Sequence, residues 1–126
     1  MKRTASFFAF FLGTLTFIQA QSRVLDVKSF DAKMASVKDK TILDVRTPDE
    51  YSQGHLTSAV MVDYNKPDFK QQLTKLDKAK PVFVYCAAGV RSAGASKALI
   101  ELGFTQVYDL QGGINAWKKA QMPIVK

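Results

Sequence analysis

Cys86 is the only cysteine in the chain, and its setting suits nucleophilic chemistry. It follows the apolar run Pro81 to Tyr85 and opens the stretch Cys86-Ala87-Ala88-Gly89-Val90-Arg91. A thiol attacks as its thiolate, and its usual pKa of about 8.5 falls beside positive charge or a helix N-terminus. Ala87, Ala88 and Gly89 are small enough for the backbone to curl inward, and Gly89 takes positive φ at no steric cost. Successive amides then converge as a cradle for an anion. Arg91 adds a fixed charge and planar donors matched to a small oxyanion. A free cysteine is also commonly a small buried hydrophobe. The glycine and arginine inside this loop argue for the reactive role.

The elements that must position this thiol follow from the patterning. From Ser92 the sequence turns helical, with Ala95, Ala98, Leu99 and Leu102 on one face. Cys86 thus ends a strand and faces the positive end of a helix. Upstream, Val24 to Val27 reads as a first strand. Ser29 caps a helix to about Val37, with Phe30 and Met34 inward. Thr41 to Val45 reads as a central strand. Thr47 and Glu50 form a capping box around Pro48, and Gly54 stops that helix. Ala59 to Val62 reads as a strand, and Asp68 caps a helix with Phe69, Leu73 and Leu76 inward. Downstream, Gly103 and Phe104 close the central helix. Val107-Tyr108 reads as the last strand and Asp109 to Gly113 as a loop. Ile114 to Lys119 forms a helix with Trp117 inward, closed by Pro123.

Strands alternating with helices predict an α/β fold: an open, mainly parallel five-stranded sheet with helices on both faces. Ligands of such sheets bind beyond the carboxyl ends of the strands. Cys86 lies at one such end, and the ends of the Thr41–Val45 and Ala59–Val62 strands share its face.

Residues 1–20 read as a secretory signal peptide: Lys2 and Arg3, an apolar run from Phe7 to Ile18, then Ala20 before Gln21. The apolar run is shorter than the roughly 20 residues of a spanning helix, which disfavours a stable membrane anchor. The expected destination is the bacterial periplasm. Residues 21–126 then form one domain, with net charge 16 − 11 = +5. Its lysines are scattered, with no basic block interleaved with aromatics, so no nucleic-acid partner is expected. A basic face that favours small anions is the simpler reading. One cysteine excludes an intrachain disulfide and a CxxC redox centre. With His55 as the only histidine, no metal or other cofactor is expected.

Together these residues resemble the rhodanese (sulfurtransferase) family, in its single-domain exported form. Leu43-Asp44-Val45-Arg46, Glu50-Tyr51 and Gly54-His55-Leu56 are similar to its N-terminal signature. Val84-Tyr85-Cys86 through Arg91-Ser92 resembles its active-site loop. Leu102-Gly103-Phe104, Leu110-Gln111-Gly112-Gly113 and Trp117 resemble its C-terminal signature. Ala120 and Thr57-Ser58 depart from the family pattern.

The resemblance implies ping-pong sulfur transfer. The Cys86 thiolate takes the outer sulfur of thiosulfate or a related donor, and sulfite leaves. Cyanide or a thiol then removes that sulfur from the Cys86 persulfide. The amides of Ala87, Ala88, Gly89, Val90, Arg91 and Ser92 would hold the persulfide, and Arg91 would steer the donor. Asp44 and Arg46 are expected to organise loops through ion pairs, with Arg46 a possible aid to anion capture. His55 is expected to be a structural turn residue and Trp117 a core anchor. The nearest enzymatic rival, a cell-cycle phosphatase of the same fold, uses a Cys-x5-Arg loop, whereas four residues separate Cys86 from Arg91. An arsenate reductase would lack a second cysteine. A non-turnover module that carries a persulfide between proteins, or binds a partner, is the alternative of a different class.

Overall fold

A computed structural model describes Gly13 and residues 21–126 of the chain. The expected signal peptide, Gly13 apart, lies outside the described residues. Among the described residues ten elements alternate strictly: β1 (Gln21–Leu25), α1 (Val27–Ser36), β2 (Thr41–Asp44), α2 (Pro48–Ser52), β3 (Val60–Met61), α3 (Phe69–Leu73), β4 (Val82–Tyr85), α4 (Val90–Glu101), β5 (Gln106–Leu110) and α5 (Gly113–Lys119). The strands form one open sheet in the order β1-β5-β4-β2-β3. Every pairing is parallel. The expected architecture is therefore present. Among the described residues no helix is long and apolar enough to cross a membrane.

Alternation along β4 divides the core. Val82, Val84 and Cys86 pack with Ala95, Ala98 and Leu99 of α4 and Phe69 and Leu73 of α3. Phe83 and Tyr85 pack on the opposite face with Phe30 and Met34 of α1 and Ile114 and Trp117 of α5. β4 is buried at all four positions, as a central parallel strand must be. Each fully buried large apolar side chain stabilises the fold by about 1.5–3 kcal/mol.

Several boundaries differ from expectation, each for a local physical reason. β1 starts at Gln21, and Val27 already belongs to α1. Asp26, not Ser29, is the N-cap, its Oδ1 accepting the Ser29 N–H at 2.8 Å. Aspartate caps at least as well as serine, so the earlier residue prevails. Asp68 occupies the N-cap position, but its side chain caps no backbone amide; its Oδ2 accepts a hydrogen bond from Gln72 Nε2 instead. β5 extends through Asp109 and Leu110, where the sequence pattern predicts a loop. β1 pairs along its whole length, and β4 pairs as far as Asp109. That two-sided ladder overrides the poor strand propensity of aspartate.

The end of α4 follows expectation. Gly103 has φ 101° and donates to Ile100, while Phe104 donates to Leu99. This is a Schellman closure, sealed by the buried Phe104. α5 ends at Lys119, before Pro123, whose carbonyl accepts the Trp117 Nε1–H at 2.9 Å.

Candidate active site

Cys86 lies just past the carboxyl end of β4, and α4 begins four residues later. The expected helix start at Ser92 is two residues late: Val90, Arg91 and Ser92 form the first turn, with Gly89 as N-cap at φ 114°. Gly89 thus makes the reversal that aims the helix N-terminus at the thiol. The Gly89 N–H donates to Cys86 Sγ at 3.0 Å, and the Ser92 hydroxyl lies 3.4 Å away. Cys86 is only 1 % exposed. Burial pushes its pKa up. Hydrogen bonds from the Ser92 hydroxyl and from the amides of Ser92, Gly89 and Ala88 outweigh that, and the net shift is downward. The site therefore stabilises negative charge on a buried sulfur.

The loop is held from its other side by α5. The carbonyl of Cys86 accepts the Ile114 N–H at 2.9 Å, and that of Ala87 accepts the Asn115 N–H at 3.1 Å. With these carbonyls engaged at a second helix N-terminus, the following amides are left to face the sulfur. Gly112 and Gly113, both at positive φ, make the close approach possible. A Cβ on Gly113 would collide with the carbonyls of Cys86 and Ala87.

Arg91 is paired. Its guanidinium grips both oxygens of Glu50, at 2.7 and 2.9 Å. Glu50 is fixed in turn by the capping box with Thr47. The Arg91 hydrogen bonds hold the Glu50 carboxyl at a pKa of about 2, against an ordinary 4.5. Arg91 responds to Glu50 first and also to the charge on Cys86. Glu50 is thus part of the site's electrostatics, a role the sequence pattern did not show. The signal available was the charge of Arg91 itself. A cation in the first turn of a helix opposes the dipole and calls for a carboxylate.

Asp44 and Arg46 lie in a buried ion pair, with Arg46 Nη2 2.7 Å from Asp44 Oδ2. Arg46 Nη2 also donates to the Gly54 carbonyl. The Tyr85 hydroxyl donates to Asp44 Oδ2 at 2.7 Å and accepts the Leu56 N–H at 3.0 Å. This network ties β2 and β4 to the Gly54-His55-Leu56 turn. His55 stacks on Tyr51 with ring centroids 3.7 Å apart and exchanges backbone hydrogen bonds with Val125. Trp117 is buried against Phe30. Val90 projects into solvent from the rim of the loop at 85 % exposure. Asp109, another residue whose place the sequence did not suggest, is buried beside Ser92. Among the described residues no cluster of three or more His, Cys, Asp or Glu is placed to hold a metal.

Comparison with known proteins agrees with this geometry. The chain is 37% identical over 86 residues to thiosulfate sulfurtransferase GlpE of Coxiella burnetii, covering 68% of this chain and 78% of that one. It is 40% identical over 91 residues to thiosulfate sulfurtransferase 16, chloroplastic, of Arabidopsis thaliana, covering 64% and 76%. The crystal structure of a rhodanese-related protein from Thermoplasma volcanium superposes with a TM-score of 0.72 at 28% identity, covering 82% of this chain and 97% of that one. Residues 26–120 match the profile of the rhodanese-like domain, and the chain belongs to that family.

Proposed function

We propose that the protein is a sulfurtransferase that moves a sulfane sulfur through Cys86. The observation that carries this is the buried Cys86 sulfur at the N-terminus of α4, with the Gly89 N–H donating to it at 3.0 Å and the Ser92 hydroxyl 3.4 Å away. Relatives named thiosulfate sulfurtransferase support the same chemistry and make thiosulfate the donor of choice. The Cys86 thiolate attacks the outer sulfur of thiosulfate, its S–S bond breaks, and sulfite leaves with the bonding pair. The persulfide keeps one negative charge on its terminal sulfur. Donors already aimed at the thiolate then hold that charge without reorganisation. Cyanide or a thiol, small or on a protein, removes the sulfur and regenerates the thiolate.

Arg91 steers the donor as a cation held on Glu50, with much of its field neutralised by that partner. Asp44 and Arg46 serve the site through the network that fixes the neighbouring turn. A carrier role is favoured by one observation, the exposed apolar Val90 on the rim, which a protein partner would cover. On its N-terminal sequence we place the protein in the periplasm.

The test is intact-protein mass after thiosulfate and then after cyanide, with thiocyanate followed in parallel. A gain of one sulfur atom, reversed by cyanide and absent in Cys86→Ser, is the expected result. A folded protein with a free thiol that gains no mass and makes no thiocyanate refutes transfer from thiosulfate. Loading by a protein persulfide donor in that case would establish the carrier.

A further inference from the structure

Arg91 is the cation that the Cys86 loop itself carries into α4, yet its fork is full. Nη1 and Nη2 each donate to one oxygen of the Glu50 carboxylate, at 2.7 and 2.9 Å. That is the two-point fit by which a guanidinium takes two oxygens of a small oxyanion. Glu50 is a fixed occupant. Its Oε1 also accepts from the Thr47 hydroxyl at 3.1 Å and the Thr47 N–H at 3.3 Å, and its own N–H donates to Thr47 Oγ1 at 3.3 Å. A carboxylate anchored in its own helix cap, and part-buried with its partner, does not swing aside as a free surface side chain does. Arg46 offers no substitute: it is buried and engaged with the Asp44 carboxylate and the Gly54 carbonyl. The positive pole beside the sulfur is then the end of α4, where the Gly89 N–H reaches Sγ.

We propose that Glu50 is a specificity-determining residue: it fills the Arg91 fork as an internal stand-in for an oxyanion, and so holds down the preference of the site for anionic sulfur reagents over uncharged ones. This deepens the sulfurtransferase reading and rests on Cys86 being its nucleophile. An anionic donor must share Arg91 with a carboxylate already in place, or dock on the helix end alone. An uncharged reagent meets no such competitor. If Glu50 only aimed Arg91 at the donor, its loss would have the opposite sign, because the anion would lose its guide.

Alkylation of Cys86 tests this without a sulfur donor. Rates with iodoacetate and iodoacetamide are measured on the same protein at one pH. Their ratio cancels the thiolate fraction, so a shift in the Cys86 pKa does not move it. Glu50→Gln removes the charge and keeps the capping box, which takes glutamine as well as glutamate. The iodoacetate-to-iodoacetamide ratio should rise about fivefold at low salt, and by less as salt screens the released charge. In an Arg91→Met background the same substitution should change the ratio by no more than about twofold, since only the long-range charge is then altered.

A ratio that falls or stays level in Glu50→Gln overturns the proposal. So does a full rise in the Arg91→Met background, which would trace the effect to net charge rather than to the fork. If Glu50→Gln fails to fold, Glu50→Asp decides: it keeps the charge, is one methylene shorter, and must still raise the ratio by loosening the fork. The value of kcat/KM for thiosulfate should rise with the alkylation ratio. A protein whose ratio shifts but which moves no sulfur refutes the transfer reading alone. A protein that transfers sulfur with a level ratio refutes the role of Glu50 alone.

Discussion

Tyr85→Phe tests the buried network beneath the site. The ring is fully buried, and phenylalanine occupies the same space, so the packing change is near zero. What is lost is polar. The hydroxyl donates to the Asp44 carboxylate at 2.7 Å and accepts the Leu56 N–H at 3.0 Å. A hydrogen bond to a charged group contributes about 1.5–3 kcal/mol, and a buried N–H left without an acceptor costs about 1–3 kcal/mol. The two losses share one atom and do not simply add, so about 3 kcal/mol is expected. For a domain of this size that lowers Tm by roughly 12–24 °C. Urea unfolding followed by circular dichroism measures it, with an unchanged m-value as the control. Burial and the Asp44 carboxylate both hold the phenol above its ordinary pKa, so it stays protonated. The loss is therefore the same at about pH 6 and about pH 9. A loss below about 1 kcal/mol with normal m would refute the bridge between the carboxylate and the turn.

Gly113→Ala places a methyl group against the Cys86 and Ala87 carbonyls at a positive-φ position. It should cost at least about 2 kcal/mol and return the Cys86 pKa toward about 8.5, read from the pH dependence of iodoacetamide alkylation. Glu50 has a folded pKa of about 2 against 4.5, so its pairing stabilises the fold above the unfolded value and is lost as pH falls toward 2. The urea midpoints of wild type and Glu50→Gln should differ at neutral pH and converge near pH 2; a constant gap would contradict the pairing. The same variant frees the Arg91 charge, and alkylation should show a lower Cys86 pKa.

Local chemistry was legible in the sequence where one short segment carried the whole signal. The Thr47–Glu50 capping box, the Gly103 closure and the strand-to-loop placement of Cys86 all lie within a few residues of their causes. The start of α4 was misplaced because Val90 is exposed and Arg91 charged, so the apolar period begins only after them. Asp109 was misplaced because two neighbouring strands, not its own propensity, make it extended. The pairs that organise the site, Arg91 with Glu50 and Tyr85 with Asp44, each join residues 41 apart. No local periodicity encodes such partners. They emerge only once parallel pairing brings the ends of β2 and β4 together.

The hold of α5 on the Cys86 loop also sets an order of events during synthesis. The amides that complete the loop belong to Ile114 and Asn115, which follow Cys86 and the whole of α4 in the sequence. A chain still emerging from the ribosome has Cys86 before it has the helix that holds the loop around it. Until that helix docks, the Cys86 and Ala87 carbonyls lack the amides that hold the loop in place around the thiol. The setting of the thiol is thus completed by a helix made after it, and a chain truncated before α5 carries the cysteine without that support for its loop.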